Sequence, residues 1–184
     1  MKTAWLAPAL ALLAVALVPA ANARKEEAKR NDRATGARLA RLLDQINRHR
    51  DETWRWQKLM QRPRTAYSAS AEALRSVVYR GRVVNLWRRR AVRAKQRALN
   101  PPHKAQWLCI HRHEASWTDP EAPYYGGLQM DREFQSTFGR ALLGAKGTAD
   151  HWTPLEQMWV AERAFKRRGF WPWPNTARYC GLLD

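Results

Sequence analysis

"HKAQWLCIHRHE", residues 103–114, is the stretch whose reading decides the fold. Trp107, Ile110, His111 and Glu114 recur at i, i+3, i+4 and i+7, which is one face of one α-helix. Apolar residues begin that face and a carboxylate ends it. A metal site is the first chemistry to weigh, because His111, His113 and Glu114 all carry donors. Two steps of about 100° set His111 and His113 about 200° apart around a helix, so they cannot chelate one ion. The H-E-x-x-H spacing of zinc peptidases is also missing. The stretch predicts neither a metal nor a cofactor.

Glu114 admits a second reading, as a general acid. A carboxylate packed against Trp and Ile resists ionisation. An acid that keeps its proton near neutrality can protonate a departing oxygen. A Glu that only caps or pairs at a helix end explains the same letter, since polar helix ends are common.

The segments that follow are also helical. "DREFQSTFGRALLG", 131–144, sets Phe134, Phe138 and Leu142 on one stripe, with Asp131 as the N-cap. "TPLEQMWVAERAFKRRG", 153–169, pairs Thr153 with Glu156 as a capping box, puts Pro154 at the first helical position and ends at Gly169. No alternating strand pattern of any length occurs, and "PYYGGLQM", 123–130, allows at most a short extended segment. The fold class is mainly α. Trp107, Trp117, Trp152, Trp159, Trp171 and Trp173 make this half aromatic-rich. Most belong to a core, and Trp117 with one of Trp171 or Trp173 is expected to be exposed.

Residues 24–102 read as a basic helical arm or hairpin. Leu39, Leu42, Leu43, Ile46, Thr53 and Trp56 follow a helical period, and so do Leu74, Val77, Val78, Val84 and Trp87. "QRPRTAYSAS" interrupts them, with Pro63 as the breaker and Ser68 or Ser70 as the cap of the second helix. From Arg24 to Lys104 there are 23 Lys and Arg against 7 Asp and Glu, whereas from Ala105 to Asp184 there are 9 of each. Residues 24–104 thus hold a net +16 of the chain's +17. Such a field attracts anionic polymers or a membrane surface over long range and is screened by salt. No specific nucleic-acid contact is predicted, and the chain is expected to be a monomer.

Residues 1–23 have the layout of a signal peptide. Lys2, an apolar run from Leu6 to Val18 and Ala21-Asn22-Ala23 supply its three parts. An uncleaved anchor is the alternative, as Trp5 to Ala23 almost suffices to span a bilayer. Export would place Cys109 and Cys180, the two cysteines of the chain, where a disulfide forms. Closing that loop is worth about 4 kcal/mol in the chain-entropy model. Two buried free thiols are the other possibility.

Seven residues after Trp117 begins Tyr-Tyr-Gly-Gly-Leu-Gln, residues 124–129. A Glu closing a helix, a nearby Ser and Trp, this run, an Ala-Glu-Arg helix and a "WPWP…C" ending resemble the transglycosylase-like domain of the resuscitation-promoting factors. The resemblance covers residues 107–182 and leaves 24–100 without a counterpart. It implies a small lysozyme-like domain over 103–184. It also implies a secreted, cell-wall-associated glycosidase or lytic transglycosylase that cleaves the β-1,4 bond between N-acetylmuramic acid and N-acetylglucosamine in peptidoglycan glycan strands. Carried over by position, the catalytic Glu is Glu114. Gly126 and Gly127 would let backbone approach the glycan. Gln129 would bond the sugar or orient the acid, and Trp117, Tyr125 and Trp173 would line the groove. The chain departs from the family's Cys-Glu-Ser-Gly-Gly-Asn-Trp pattern, because Cys109 lies five residues before Glu114 and the Glu-Ala-Ser-Trp step is shorter by two. A wall-binding protein without activity is the competing function.

Overall fold

The computed structural model describes residues 14–184, with side chains from Ala21 onward. The signal-peptide reading therefore falls largely outside the described residues. The protein is mainly α. Among the described residues no helix is long and apolar enough to cross a membrane. The chain divides into two compact units, the first running to His49 and adding Tyr67–Arg88, the second taking Arg50–Ala66 and Arg89–Asp184. Helix α1 (Ala14–Leu59) and helix α2 (Val77–Ala98) each contribute to both.

In the first unit, residues 21–38 of α1 are all exposed. Their Ala, Glu, Lys and Arg are strong helix formers, so the segment can stay helical without a buried face. From Leu39 the apolar stripe turns inward. Ile46, Val83 and Trp87 form a small core, flanked by Tyr67, Leu74, Tyr79 and Val84. The Arg80 guanidinium donates to the Leu39 and Leu74 carbonyls. The cap of α2 is Ser76, whose hydroxyl accepts the Tyr79 N–H at 3.3 Å. Of Ser68 and Ser70, expected at that place, Ser70 accepts the Ala73 N–H, ahead of a short 3-10 turn at Ala73–Arg75. Five residues therefore lie between Ser70, where the sequence pattern placed a cap, and Ser76, which serves as one.

In the second unit, α1 ends in a left-handed residue, Gln61 at φ +50°. The Arg62 N–H reaches the Gln57 carbonyl at 2.8 Å and the Gln61 N–H the Lys58 carbonyl at 3.0 Å. This is a Schellman closure, and Pro63 follows it. Met60 and Ala98 pack on Trp159, whose Nε1 donates to the Ala98 carbonyl at 2.7 Å.

The larger core gathers helix α3 (Lys104–His113), a hairpin of β1 (Tyr124–Tyr125) and β2 (Met130–Asp131), and helices α4 (Arg132–Phe138), α6 (Pro154–Arg168) and α7 (Pro174–Tyr179). The strands are antiparallel, with Tyr124 opposite Asp131 and Tyr125 opposite Met130. Trp107, Ile110, Leu128, Val160 and Ala161 are fully buried. Asp131 caps α4 by accepting the Phe134 N–H, and the Thr153–Glu156 capping box opens α6. The single stripe expected over 131–144 is two helices, because Gly139 separates α4 from α5 (Arg140–Lys146). A Cβ at Gly139 would stand 2.6 Å from the Trp152 ring, so the ring packs where a side chain would be. Cys109 and Cys180 form a disulfide that ties α3 to the end of α7. Burial pushes the Arg163 guanidinium down to about 10. Its Nε donates to the Phe138 carbonyl at 2.6 Å and another of its nitrogens to the Leu59 carbonyl at 3.3 Å.

Candidate functional site

Glu114 follows the last residue of α3, with its own N–H bonded to the Ile110 and His111 carbonyls. It extends the face begun by Trp107 and Ile110, both fully buried, out to the surface of the unit. Its side chain is half-buried, and its Oε1 accepts the Thr176 hydroxyl at 2.7 Å. Among the described residues its other oxygen has no hydrogen-bond partner. The disulfide holds α3 against α7, the helix that carries Thr176, and so fixes the acid and its donor together.

The neighbouring carboxylates are otherwise engaged. Asp119 accepts Gln129 Nε2 at 2.8 Å and the Glu121 N–H at 3.2 Å. Asp131 serves α4 as its cap. Glu162 is 3% exposed and accepts three hydrogen bonds, from the His103 N–H at 2.7 Å, the His103 ring at 3.1 Å and Trp107 Nε1 at 2.9 Å. It anchors the start of α3 and the Trp at its centre, a satisfied buried carboxyl group with a structural task.

The Tyr-Tyr-Gly-Gly-Leu-Gln run forms the hairpin and its turn. Gly126 has φ +71°, and its carbonyl accepts the Gln129 N–H at 3.0 Å. Both glycines are buried. A Cβ at Gly126 would lie 2.6 Å from the Gln157 amide, and one at Gly127 2.6 Å from the His111 ring and 2.8 Å from the Trp117 ring. Their smallness thus admits protein side chains. His111 and Trp117 stack, with centroids 3.9 Å apart.

Gln129, expected to reach toward Glu114, instead gives its amide to Asp119 and to the Gly126 carbonyl. It does so from a left-handed backbone, φ +48°, that a non-glycine rarely adopts. Trp117 and Tyr125 are half-buried and pack on the core. Of the pair in which one was expected to be open, Trp171 is 60% exposed and Trp173 only 4%. Trp173 is held inward by its Nε1 bond to the Leu128 carbonyl at 2.6 Å. It nonetheless lines, with Tyr124, Gln129, Phe134 and Arg167, an open cavity of about 640 Å³. Glu114, Trp117 and Tyr125 are not among the residues lining that cavity.

Two contributors carry no signal in the sequence. Thr176, the partner of Glu114, lies 62 residues further along the chain. Gln157 is fully buried, and its amide nitrogen bonds the Trp117, Ala149 and Trp152 carbonyls at 2.7, 2.8 and 3.1 Å. It pins the loop after Glu114 to α6, yet in sequence it is one polar letter in an amphipathic helix. His113 lies beside the disulfide, its ring 4.7 Å from that of Tyr179. With both sulfurs bonded to each other, that cluster offers no thiolate for a metal.

The chemistry available at Glu114 is proton donation and acceptance by a carboxyl group that one hydroxyl steadies and solvent reaches. Compared with protein-family models, curated proteins and solved structures, the chain has no match, so the likeness to the transglycosylase-like domain rests on the motif residues alone.

Proposed function

We propose that the protein is a secreted enzyme that cleaves peptidoglycan glycan strands, with Glu114 as its single acid and base. One observation carries the reading. Glu114 ends a buried helix face half-buried, with one oxygen held by Thr176 and the other without a partner among the described residues. The resemblance in residues 107–182 supplies the substrate, the bond between N-acetylmuramic acid and N-acetylglucosamine. The Glu114 carboxylic acid would give its proton to the glycosidic oxygen as the C1–O bond breaks. The resulting carboxylate would take a proton from the sugar's own 6-hydroxyl as that oxygen closes on C1. The acid is regenerated and no water is consumed. The tasks already taken up by Asp119, Asp131 and Glu162 favour this one-carboxylate route over a two-carboxylate hydrolysis.

The experiment is digestion of purified sacculi by Glu114→Gln protein, with released fragments read by mass spectrometry. Gln keeps shape and hydrogen bonding but gives up no proton, so turnover should fall by about 10² to 10⁴. Fragments ending in 1,6-anhydro sugars would identify transglycosylation. Wild-type rates from folded Glu114→Gln protein would remove Glu114 from the chemistry.

A second reading, a wall-binding protein without turnover, is favoured by the absence of Glu114 from the lining of the 640 Å³ cavity. In both readings the basic arm holds the protein on anionic polymer or membrane surface, in keeping with the net +16 of residues 24–104.

A further inference from the structure

The second unit contains a small cavity, of about 200 Å³, whose charged lining is entirely basic. One wall is the last turns of α1, where Thr53, Gln57 and Met60 share a face. The opposite wall is α2, where Arg90, Arg93 and Arg97 recur at i, i+3 and i+7. Arg62 closes it from the turn after α1. Among the described residues no carboxylate lines the cavity. Among the described residues no ion pair engages Arg62, Arg93 or Arg97.

The cavity is also built in place. Thr53 is 1% exposed. The turn is fastened at all three polar points of Thr65. Gln57 accepts its N–H at 3.0 Å and donates to its hydroxyl at 2.7 Å, and Trp54 Nε1 donates to its carbonyl at 3.0 Å. The Schellman closure holds Arg62 at the rim. Four arginines thereby line one space, with no carboxylate among the described residues that line it. Their mutual repulsion is an unfavourable term that an anion would remove. Guanidinium forks match the paired oxygens of a tetrahedral phosphate, and charge-assisted bonds of this kind are among the strongest a protein makes. The space is that of about seven waters, enough for a phosphate with a short ester arm.

We propose that the cavity between the end of α1 and α2 is a phosphoester-binding site, with Arg62, Arg90, Arg93 and Arg97 as its anion ligands. The site goes beyond the diffuse tethering described above, because it has a fixed position and one occupant, and it does not depend on Glu114. A phosphodiester of a wall polymer and a lipid headgroup share this chemistry.

The test is calorimetric titration of the full chain with glycerol 3-phosphate. Saturable binding at one site is expected. R93Q/R97Q should weaken it by about tenfold or more. R62Q, on the turn where helix propensity plays no part, should weaken it as well, and far-UV circular dichroism checks that helicity is kept. R30Q/R33Q removes the same net charge from the exposed part of α1 and should change affinity by no more than about twofold, since exposed distant charges are screened. Equal loss in R30Q/R33Q, or no saturable binding by the wild-type chain, would overturn the site. Soluble poly(glycerol phosphate) and phosphatidylglycerol vesicles then separate the two sources. Whichever probe loses binding in R93Q/R97Q but not in R30Q/R33Q carries the phosphate concerned, and insensitivity of both overturns the proposal.

Discussion

Glu162 and Glu114 stand at the two ends of α3's environment and are treated in opposite ways. Glu162 sits at the helix start, 3% exposed, with three donors on its carboxylate. Glu114 sits at the helix end, half-buried, with one donor. A carboxylate whose lone pairs are filled by backbone and ring N–H groups is part of the scaffold, because moving a proton there would break bonds that hold the fold. A carboxylate with an open oxygen can exchange a proton at little structural cost. Under the proposed function, the difference explains why burial alone does not single out a catalytic acid. What separates the two is how many of the surrounding donors are committed.

Breaking the comparison at its scaffold end should have the largest effect. Glu162→Ala strands the Trp107 Nε1 and the His103 N–H and leaves a cavity under α3. The expected loss is about 3–5 kcal/mol of stability, read by chemical denaturation. Glu162→Gln retains an acceptor and should cost clearly less. Comparable losses from the two would show that the carboxylate's bonds are not what anchors α3.

The comparison sharpens at the other end through Thr176. Thr176→Val removes the hydroxyl from Glu114 while keeping the side chain's shape. Under the proposed function, turnover on sacculi should fall by about tenfold, with less than about 1.5 kcal/mol lost in thermal stability. Thr176→Ser returns the hydroxyl and should restore most of the rate. A Ser variant no better than Val would assign Thr176 to packing alone.

Glu156 offers a third carboxylate as a calibration, with the smallest effect. Burial pushes its carboxyl up, but Lys146 and the N–H and hydroxyl of Thr153 outweigh that and hold it below its ordinary 4.5. The folded state thus favours the charged form. Its contribution is fully present above 4.5 and is lost as pH falls through the lower folded value. Thr153→Ala should cost about 1 kcal/mol near neutrality. Denaturant midpoints of this variant and wild type should converge as pH is taken below 4.5. A gap that stays constant with pH would remove Glu156 from the cap's energetics.

Local features were legible in the chain because they depend on neighbours in sequence. The α3 face, the Asp131 cap, the Thr153–Glu156 box, the end of α6 at Gly169 and the Cys109–Cys180 pair all follow from spacing, propensity and cysteine number. The Gly139 break was hidden because its cause is a Trp152 ring, thirteen residues on, that takes the place of a side chain. Ser76 displaced Ser70 as a cap because both are competent and only the path of the chain chooses between them.

For the site, the sequence by itself determined the position of Glu114 at the end of an apolar helix face, since a helix repeats every 3.6 residues whatever surrounds it. It also determined that Arg90, Arg93 and Arg97 share one face of α2, for the same reason. Only the tertiary structure decided which donors each carboxylate receives, that Gln129 turns to Asp119, that Gly126 and Gly127 make room for Gln157, His111 and Trp117, and that Trp173 is buried while Trp171 is not. These outcomes depend on atoms brought together from distant parts of the chain. Hydrogen bonding and close packing act over a few ångströms of space, and spacing along the sequence does not encode that distance.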